Sequence, residues 1–293
     1  MQARESYRKK QERTLIAEYL QRGRIPWSRG YNSFKSKFIR RTLSYGELMG
    51  FFQASLELPS SYGIGVDERC VEIPWVCAQL AEPGDTMLDA GSALNDLYIL
   101  EYVMARRKKI HIITLAPEPD CYWQRGVSYI YDDLRKLPIR NECYDTIACV
   151  STLEHVGCDN RGYTRNGDTN EYRPNDFLLV MKEFSRVLKP GGTLLLTVPF
   201  GVYKHYGSFQ QFDYSLLMRA INAFEKTESV NHTFYRYDEN GWNRATALEC
   251  ADCEYVEWVP TFSLVNANGH TREPDMAAAA RSVACVTIRK RVE

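Results

Sequence analysis

From Thr86 to Phe200 the chain alternates short, predominantly apolar runs with amphipathic ones. TMLDA (86–90), IHIIT (110–114), VSYIY (127–131), YDTIACV (144–150) and TLLLTVPF (193–200) are mostly apolar along their length. That pattern predicts strands of a parallel sheet covered on both faces. Between them the period changes. Leu97, Leu100, Val103 and Met104 fall near one face of a helix over 94–107. Phe177, Met181, Phe184 and Leu188 share a stripe on a helix opened by Pro174. Lys189-Pro190-Gly191-Gly192 reads as a tight turn into the fifth strand. Strand and helix alternating in this way make a doubly wound α/β fold.

The two ends differ in texture. Residues 5–21 predict a helix with Leu15, Ile16, Tyr19 and Leu20 on one face, and 23–34 predict a loop. Ser44 with Glu47 has the spacing of a capping box before the apolar run 48–52. Asp67 is placed to cap a third helix through Leu80, with a kink or restart at Pro74. Pro83-Gly84 then separates a helical N-terminal cap segment (1–83) from an α/β domain (84–293). In the tail, 212–224 predicts a helix and 233–238 and 282–290 predict two strands. The expectation is a mostly parallel seven-stranded sheet with an insertion before the last strand.

Composition narrows the class. The chain has 293 residues, 44% hydrophobic and 25% charged, as expected of a globular protein. No run approaches the roughly 18 apolar residues of a transmembrane helix, and the charged N-terminus has no apolar signal core. Nine scattered cysteines, an odd number, point to reduced thiols and a cytoplasmic location. Net charge is zero, yet residues 1–50 carry twelve Lys/Arg against four Asp/Glu. This basic start is either a solvated helix face or a patch for a phosphorylated substrate, an anionic membrane surface or nucleic acid. No long basic run or RNA-binding signature favours nucleic acid.

The candidate chemistry begins at MLDAGSALND (87–96), where the first strand ends. Ligands of doubly wound sheets bind at the carboxyl ends of the strands, where strand order reverses. Gly91 lets backbone approach a ligand, and Asp89 is an acceptor for an ammonium or a water. A dinucleotide loop has three glycines, but here Ser92, Ala93 and Leu94 fill that space. The loop argues against a pyrophosphate and admits a smaller zwitterion. On its own it also fits an ordinary strand-to-helix turn.

The following segments carry a resemblance. DDLRKLPIRNECYDTIACVSTLEHVG (132–157) and KPGGTLLLTVP (189–199) come in the order and at the intervals of a class I S-adenosylmethionine (SAM)-dependent methyltransferase of the type-11 group. The chain resembles that family over about 84–200 and more loosely beyond. The resemblance implies a Rossmann-like methyltransferase fold with SAM as cofactor. It implies that Asp133, counted back from Leu137-Pro138, accepts from the adenine amino group, with the Leu134 backbone facing the ring. The turn Asp89–Gly91 with Ser92 would hold the methionine end, and Ser151 and Thr152 would lie beside the cofactor. The acidic residue that usually ends the second strand and binds the ribose is absent. Leu115 stands near that place and Glu118 a few residues late. The pattern is also similar to methyltransferases encoded among bacterial surface-polysaccharide and secondary-metabolite genes, which implies a sugar or small-molecule acceptor.

For the acceptor side, His155 and Glu154 follow the fourth strand, and His205 follows the fifth. All three are candidate proton acceptors, His155 and His205 foremost. The polar stretch 157–176 contains Asp159, Asp168, Glu171 and Asp176, and it reads as a lid, since no tight spacing defines a metal site. Cys250 and Cys253 have CxxC spacing without a second ligand pair, and His270 is too far along the chain to supply one, so no metal is expected. The reading is methyl transfer to a hydroxyl, or else an amine, of a sugar, nucleotide sugar or small metabolite, sugar-like or anionic. The alternatives are an RNA methyltransferase using the basic start, tested by steep salt dependence of binding, and an inactive methyltransferase-fold partner subunit. The residues leave the oligomeric state open.

Overall fold

Alternation of side chains along a strand decides which core each residue joins. In β1 (Thr86–Ala90), Met87 joins a core beneath the N-terminal helices, while Leu88 and Ala90 join one on the opposite face. The computed structural model describes residues 2–80, 84–106, 109–165, 167–257 and 273–292, and the side chains of 2–9 and of Asp168 are outside the description. His270 and most of the insertion expected before the last strand also lie outside the described residues.

The segment before β1 supplies four helices: α1 (Gln2–Gln21), α2 (Tyr31–Ser44), α3 (Gly46–Gln53) and α4 (Arg69–Gln79). Then come β1, α5 (Leu97–Met104), β2 (Lys109–Thr114), β3 (Val127–Tyr131), β4 (Tyr144–Val150) and the short α6 (Arg161–Thr164). α7 (Phe177–Val187), β5 (Leu188–Pro199), the two-residue strands β6 (Lys204–His205) and β7 (Gln210–Gln211), and α8 (Tyr214–Ala223) follow. The chain closes with β8 (Thr227–Asp238), β9 (Gly241–Ala245), the single-turn α9 (Ala247–Cys250) and β10 (Ser282–Lys290). Among the described residues, no helix is long and apolar enough to cross a membrane.

The main sheet runs β3-β2-β1-β4-β5-β10-β8-β9. The first five strands are parallel, and β10 is antiparallel to both β5 and β8. This is the doubly wound, mostly parallel sheet of the Rossmann-like methyltransferase fold. It has eight strands rather than seven, because Gly241–Ala245 folds back on β8 as a hairpin. The strand expected over 233–238 begins earlier, at Thr227. Helices α2 to α5 cover one face, and α7 and α8 cover the other. The order reverses between β1 and β4, which pair Asp89 with Ala148. That boundary is the switch point.

Several local expectations shift for physical reasons. Ser44 does not open a capping box. It is the last residue of α2, its hydroxyl bonds to the Arg40 carbonyl at 2.8 Å, and α3 starts from Tyr45 without a side-chain cap. α5 starts only after Asp96, whose carboxylate accepts the Tyr98 and Ile99 N–H groups. α4 continues through Pro74 without a restart. Proline removes the N–H that would reach the carbonyl four residues earlier, and that carbonyl, of Cys70, accepts the Tyr62 hydroxyl at 2.7 Å instead. Lys189-Pro190-Gly191-Gly192 lies within β5 as an irregularity in its register against β4.

Candidate functional site

The loop after β1 is shaped by what faces it. Gly91 has φ +112°, and a Cβ there would overlap the Thr152 side chain at the end of β4. A single glycine therefore suffices: it admits Thr152, not a pyrophosphate. Ser92 follows in the left-handed region at φ +62°. Asp89 is fully buried. Its Oδ2 accepts the Leu94 N–H at 2.9 Å, and its Oδ1 has no hydrogen-bond partner among the described residues. Burial pushes its carboxyl up to about 7, against the Leu94 N–H that lowers it. The Ser92 hydroxyl donates to Glu118, so the late acidic residue after β2 returns to this loop. Leu115, just past β2, is exposed.

Past β3, Asp133 is gripped by Arg135, whose Nη2 lies 2.6 Å from Asp133 Oδ2. Arg135 Nη1 also holds Glu171 and Asp176, each at 2.7 Å. The carboxylates at 171 and 176 thus serve an arginine, and Asp159 pairs with Arg161 at 2.7 Å. Asp132 is exposed beside them and accepts the Asp133 N–H. Leu134 is buried in the core of the α7 face.

A buried polar network lies under the ends of β4 and β5. Glu72, in α4 and fully buried, accepts the Ser151 hydroxyl at 2.6 Å, the Thr197 hydroxyl at 2.7 Å and Arg69 Nη1 at 2.5 Å. Arg69 and Glu72 were not among the sequence candidates. The available signal was a charged residue inside the apolar run RCVEIPWVCAQ. Next to them, Asp67 pairs with Lys35 at 2.7 Å, and Glu68 accepts the Ala280 N–H. Burial, with Asp67 and Glu72 nearby, pushes the Glu68 carboxyl up to about 8. Glu154 is buried too, and its Oε2 has no partner among the described residues. Burial raises its carboxyl well above the ordinary range, and Glu72 and Glu68 add to this. Lys35, Arg40, Arg69, Ala93 and Asp96 line a cavity of about 190 Å³ between α2 and the loop after β1.

The two candidate histidines differ in their bonding. His155 Nδ1 lies 2.7 Å from the Ser208 carbonyl, which can only accept, so Nδ1 carries the proton and Nε2 keeps a lone pair. Burial pushes this imidazole down to about 4. His205 Nδ1 accepts the Gly207 N–H at 3.0 Å, and its Nε2 is 3.6 Å from Cys158 Sγ, so both nitrogens are engaged. These contacts join the loops after β4 and β5, as does the Asp159 N–H to the Gly207 carbonyl. The turn at Gly157, φ +74°, brings the chain against the Arg173 backbone, where a Cβ would not fit. Rings gather here. His155 meets Tyr163 and Phe209 at 5.5 and 5.7 Å, and Phe209 meets Tyr206 and Tyr255 at 4.6 and 4.8 Å. Tyr255 was also missed, since it lies in the irregular tail.

Residues 99–196 match a family model described as "Methyltransferase domain". Among solved structures, the chain is similar to 1,6-didemethyltoxoflavin-N1-methyltransferase of Burkholderia thailandensis, bound to 1,6-didemethyltoxoflavin and S-adenosylhomocysteine. Identity is 14% over 75% of this chain and 76% of that one, with TM-score 0.46. It is similar to YcgJ of Bacillus subtilis at 11% identity, over 76% and 99% of the two chains, with TM-score 0.46. It is similar to the N-methyltransferase NodS of Bradyrhizobium japonicum at 13% identity, over 74% and 94%, with TM-score 0.42. No curated protein matches the chain.

Proposed function

We propose, from the premise that this chain carries a class I SAM-dependent methyltransferase domain, that it methylates a hydroxyl or amine of a small-molecule acceptor at the carboxyl edge of β1 and β4. SAM supplies an electrophilic methyl group and a zwitterionic methionine end. The observation that carries this reading is Asp89 Oδ1, a buried carboxylate oxygen at the switch point without a hydrogen-bond partner among the described residues. An ammonium supplies what that atom lacks, and burying an unpaired polar group is otherwise costly. Gly91, Ser92, Ser151 and Thr152 are proposed to line the same end. Glu118, drawn back onto Ser92, is the proposed ribose acceptor beside Leu115. Asp133 and the Leu134 backbone are proposed for the adenine. Since Arg135 already engages Asp133, Asp132 is the neighbour to test with it.

His155 is the proposed proton acceptor. Its Nε2 lone pair takes the nucleophile's hydrogen, as a proton from a hydroxyl or as a hydrogen bond from an amine. His205 is assigned a supporting role, because neither of its nitrogens is free for a substrate. Three basic residues of the start are paired within the cap, Arg29 with Glu18, Lys35 with Asp67 and Arg40 with Glu12, which draws part of that charge into the fold.

Calorimetric titration with S-adenosylhomocysteine tests the cofactor end. Asp89→Ala weakens binding by about 1–3 kcal/mol, the scale of a charge-assisted hydrogen bond. Unchanged affinity in a folded variant removes Asp89 from the site. Once an acceptor is in hand, His155→Asn loses about 10²–10⁴ in turnover while keeping cofactor affinity. The same loss in His205→Asn with His155→Asn unaffected would reverse the assignment.

A further inference from the structure

Among the described residues, two buried carboxylate oxygens without hydrogen-bond partners lie at the carboxyl edge, Asp89 Oδ1 and Glu154 Oε2. The cofactor's ammonium accounts for the first under the function proposed above, and the second remains unexplained. Resting on that reading, we infer that the acceptor is a small amine that enters as a cation, bound between the Glu154 carboxylate and the ring wall of His155, Tyr163, Phe209 and Tyr255.

The charges around Glu154 support a cation. Lys35 is matched by Asp67 and Arg69 by Glu72, so these two cations already have carboxylate partners of their own and Glu154 is left to another. Glu154 and His155 are consecutive in the short turn 153–155, and the His155 ring meets Tyr163 and Phe209, so the carboxylate and the rings share one neighbourhood. An ammonium is attracted to aromatic faces as well as to a carboxylate, and in a buried setting each attraction is stronger than in water.

The chemistry balances. Glu154, as carboxylate, takes one proton from the entering ammonium and leaves a neutral amine and a carboxylic acid. His155 Nε2 accepts a hydrogen bond from a remaining N–H and so orients the nitrogen lone pair. That lone pair forms the new C–N bond as the methyl C–S bond breaks, its electron pair staying on sulfur. The positive charge passes from sulfur to nitrogen, and the product leaves as a methylammonium. Glu154 then returns its proton to water. A group whose interaction strengthens as charge develops on nitrogen favours the transition state over the ground state.

The test uses the full chain saturated with S-adenosylhomocysteine and three probes of similar size: benzylamine (cation), benzyl alcohol (neutral) and benzoate (anion). Binding is read by saturation-transfer NMR and calorimetry at pH 7. The expected result is benzylamine at least about tenfold tighter than benzyl alcohol, with benzoate weakest. Glu154→Gln abolishes that preference while the cofactor product still binds. Should Glu154→Gln fail to fold, the wild-type ranking still decides, and Phe209→Leu weakens benzylamine severalfold if the ring wall takes part. Equal binding of the three probes, benzoate binding tightest, or a preference untouched by Glu154→Gln overturns the inference and leaves the methyltransferase reading intact. Mg²⁺ competing with benzylamine overturns it as well, by assigning Glu154 to a cation of another kind. Failure of the wild type to bind S-adenosylhomocysteine sinks the methyltransferase reading and this inference with it.

Discussion

A methyl group at position 91 has nowhere to go: the Thr152 side chain occupies the space, and φ +112° is strained for any residue with a Cβ. Gly91→Ala is therefore expected to lower stability by about 2 kcal/mol or more and to weaken S-adenosylhomocysteine binding. Urea unfolding and calorimetry read the two effects, and an unchanged midpoint would show that the loop relaxes freely. The need for glycine here was legible in MLDAGSALND, but its cause was not. Thr152 is 61 residues away in sequence, and only pairing of β1 with β4 brings it to the glycine. The two histidines make the same point. Both stand at sequence positions suited to a proton acceptor, and their difference arises from the Ser208 carbonyl, the Gly207 N–H and Cys158.

At the scale of elements, α4 shares a buried core with the sheet and is tied to the ends of β4 and β5 chiefly through the Glu72 carboxylate. Glu72 gathers Arg69, Ser151 and Thr197, and removing it leaves a guanidinium and two hydroxyls without their acceptor. Glu72→Leu is expected to cost about 3–5 kcal/mol, as when one partner of a buried ion pair is lost. Glu72→Gln, which keeps acceptor oxygens, is expected to cost less. Chemical denaturation of both variants separates the cases, and equal small losses would mean that water replaces the carboxylate. The existence of most elements was readable from period alone, because apolar runs and helical stripes reflect burial on two faces or one. Their ends were less readable. Ser44 has the right type and spacing for a cap, yet it is the last residue of α2, and its hydroxyl turns back to the Arg40 carbonyl. Asp96, which does cap α5, sits in a stretch that reads as helix from Leu94.

For the whole molecule, the buried acids set a dependence of stability on pH. Glu68, pushed up to about 8, and Asp89, pushed up to about 7, hold protons in the folded chain that the unfolded chain has already released. Such groups contribute stability that is fully present below the unfolded carboxyl range and is lost as pH rises through the folded values. His155 acts in the opposite sense, because burial lowers it to about 4, so its contribution grows up to the unfolded value near pH 6.5 and is constant above. The melting temperature without cofactor is thus expected to fall between pH 6.5 and 8, at no more than about 1.4 kcal/mol per pH unit for each group. Glu68→Gln flattens that fall. A scanning-calorimetry series in which stability rises over this interval would contradict the burial of both acids.

The sequence by itself determined the alternating strands and helices, the place of the loop after β1, and the segments 132–157 and 189–199 that resemble a methyltransferase. These are local patterns, set by the 2.0 and 3.6 periods of burial and by turn residues that act on their neighbours. Only the tertiary structure decided that Gly91 faces Thr152, that Glu118 turns back to Ser92, that Arg135 holds Asp133, and that Glu72 and Arg69 reach the sheet edge from a helix preceding it. Hydrogen bonds and charges act over a few ångströms of space whatever their separation along the chain. The ionisation of Asp89, Glu154 and His155 is set by desolvation above all, and desolvation exists only once the cap helices and the loops after β4 and β5 have closed over them.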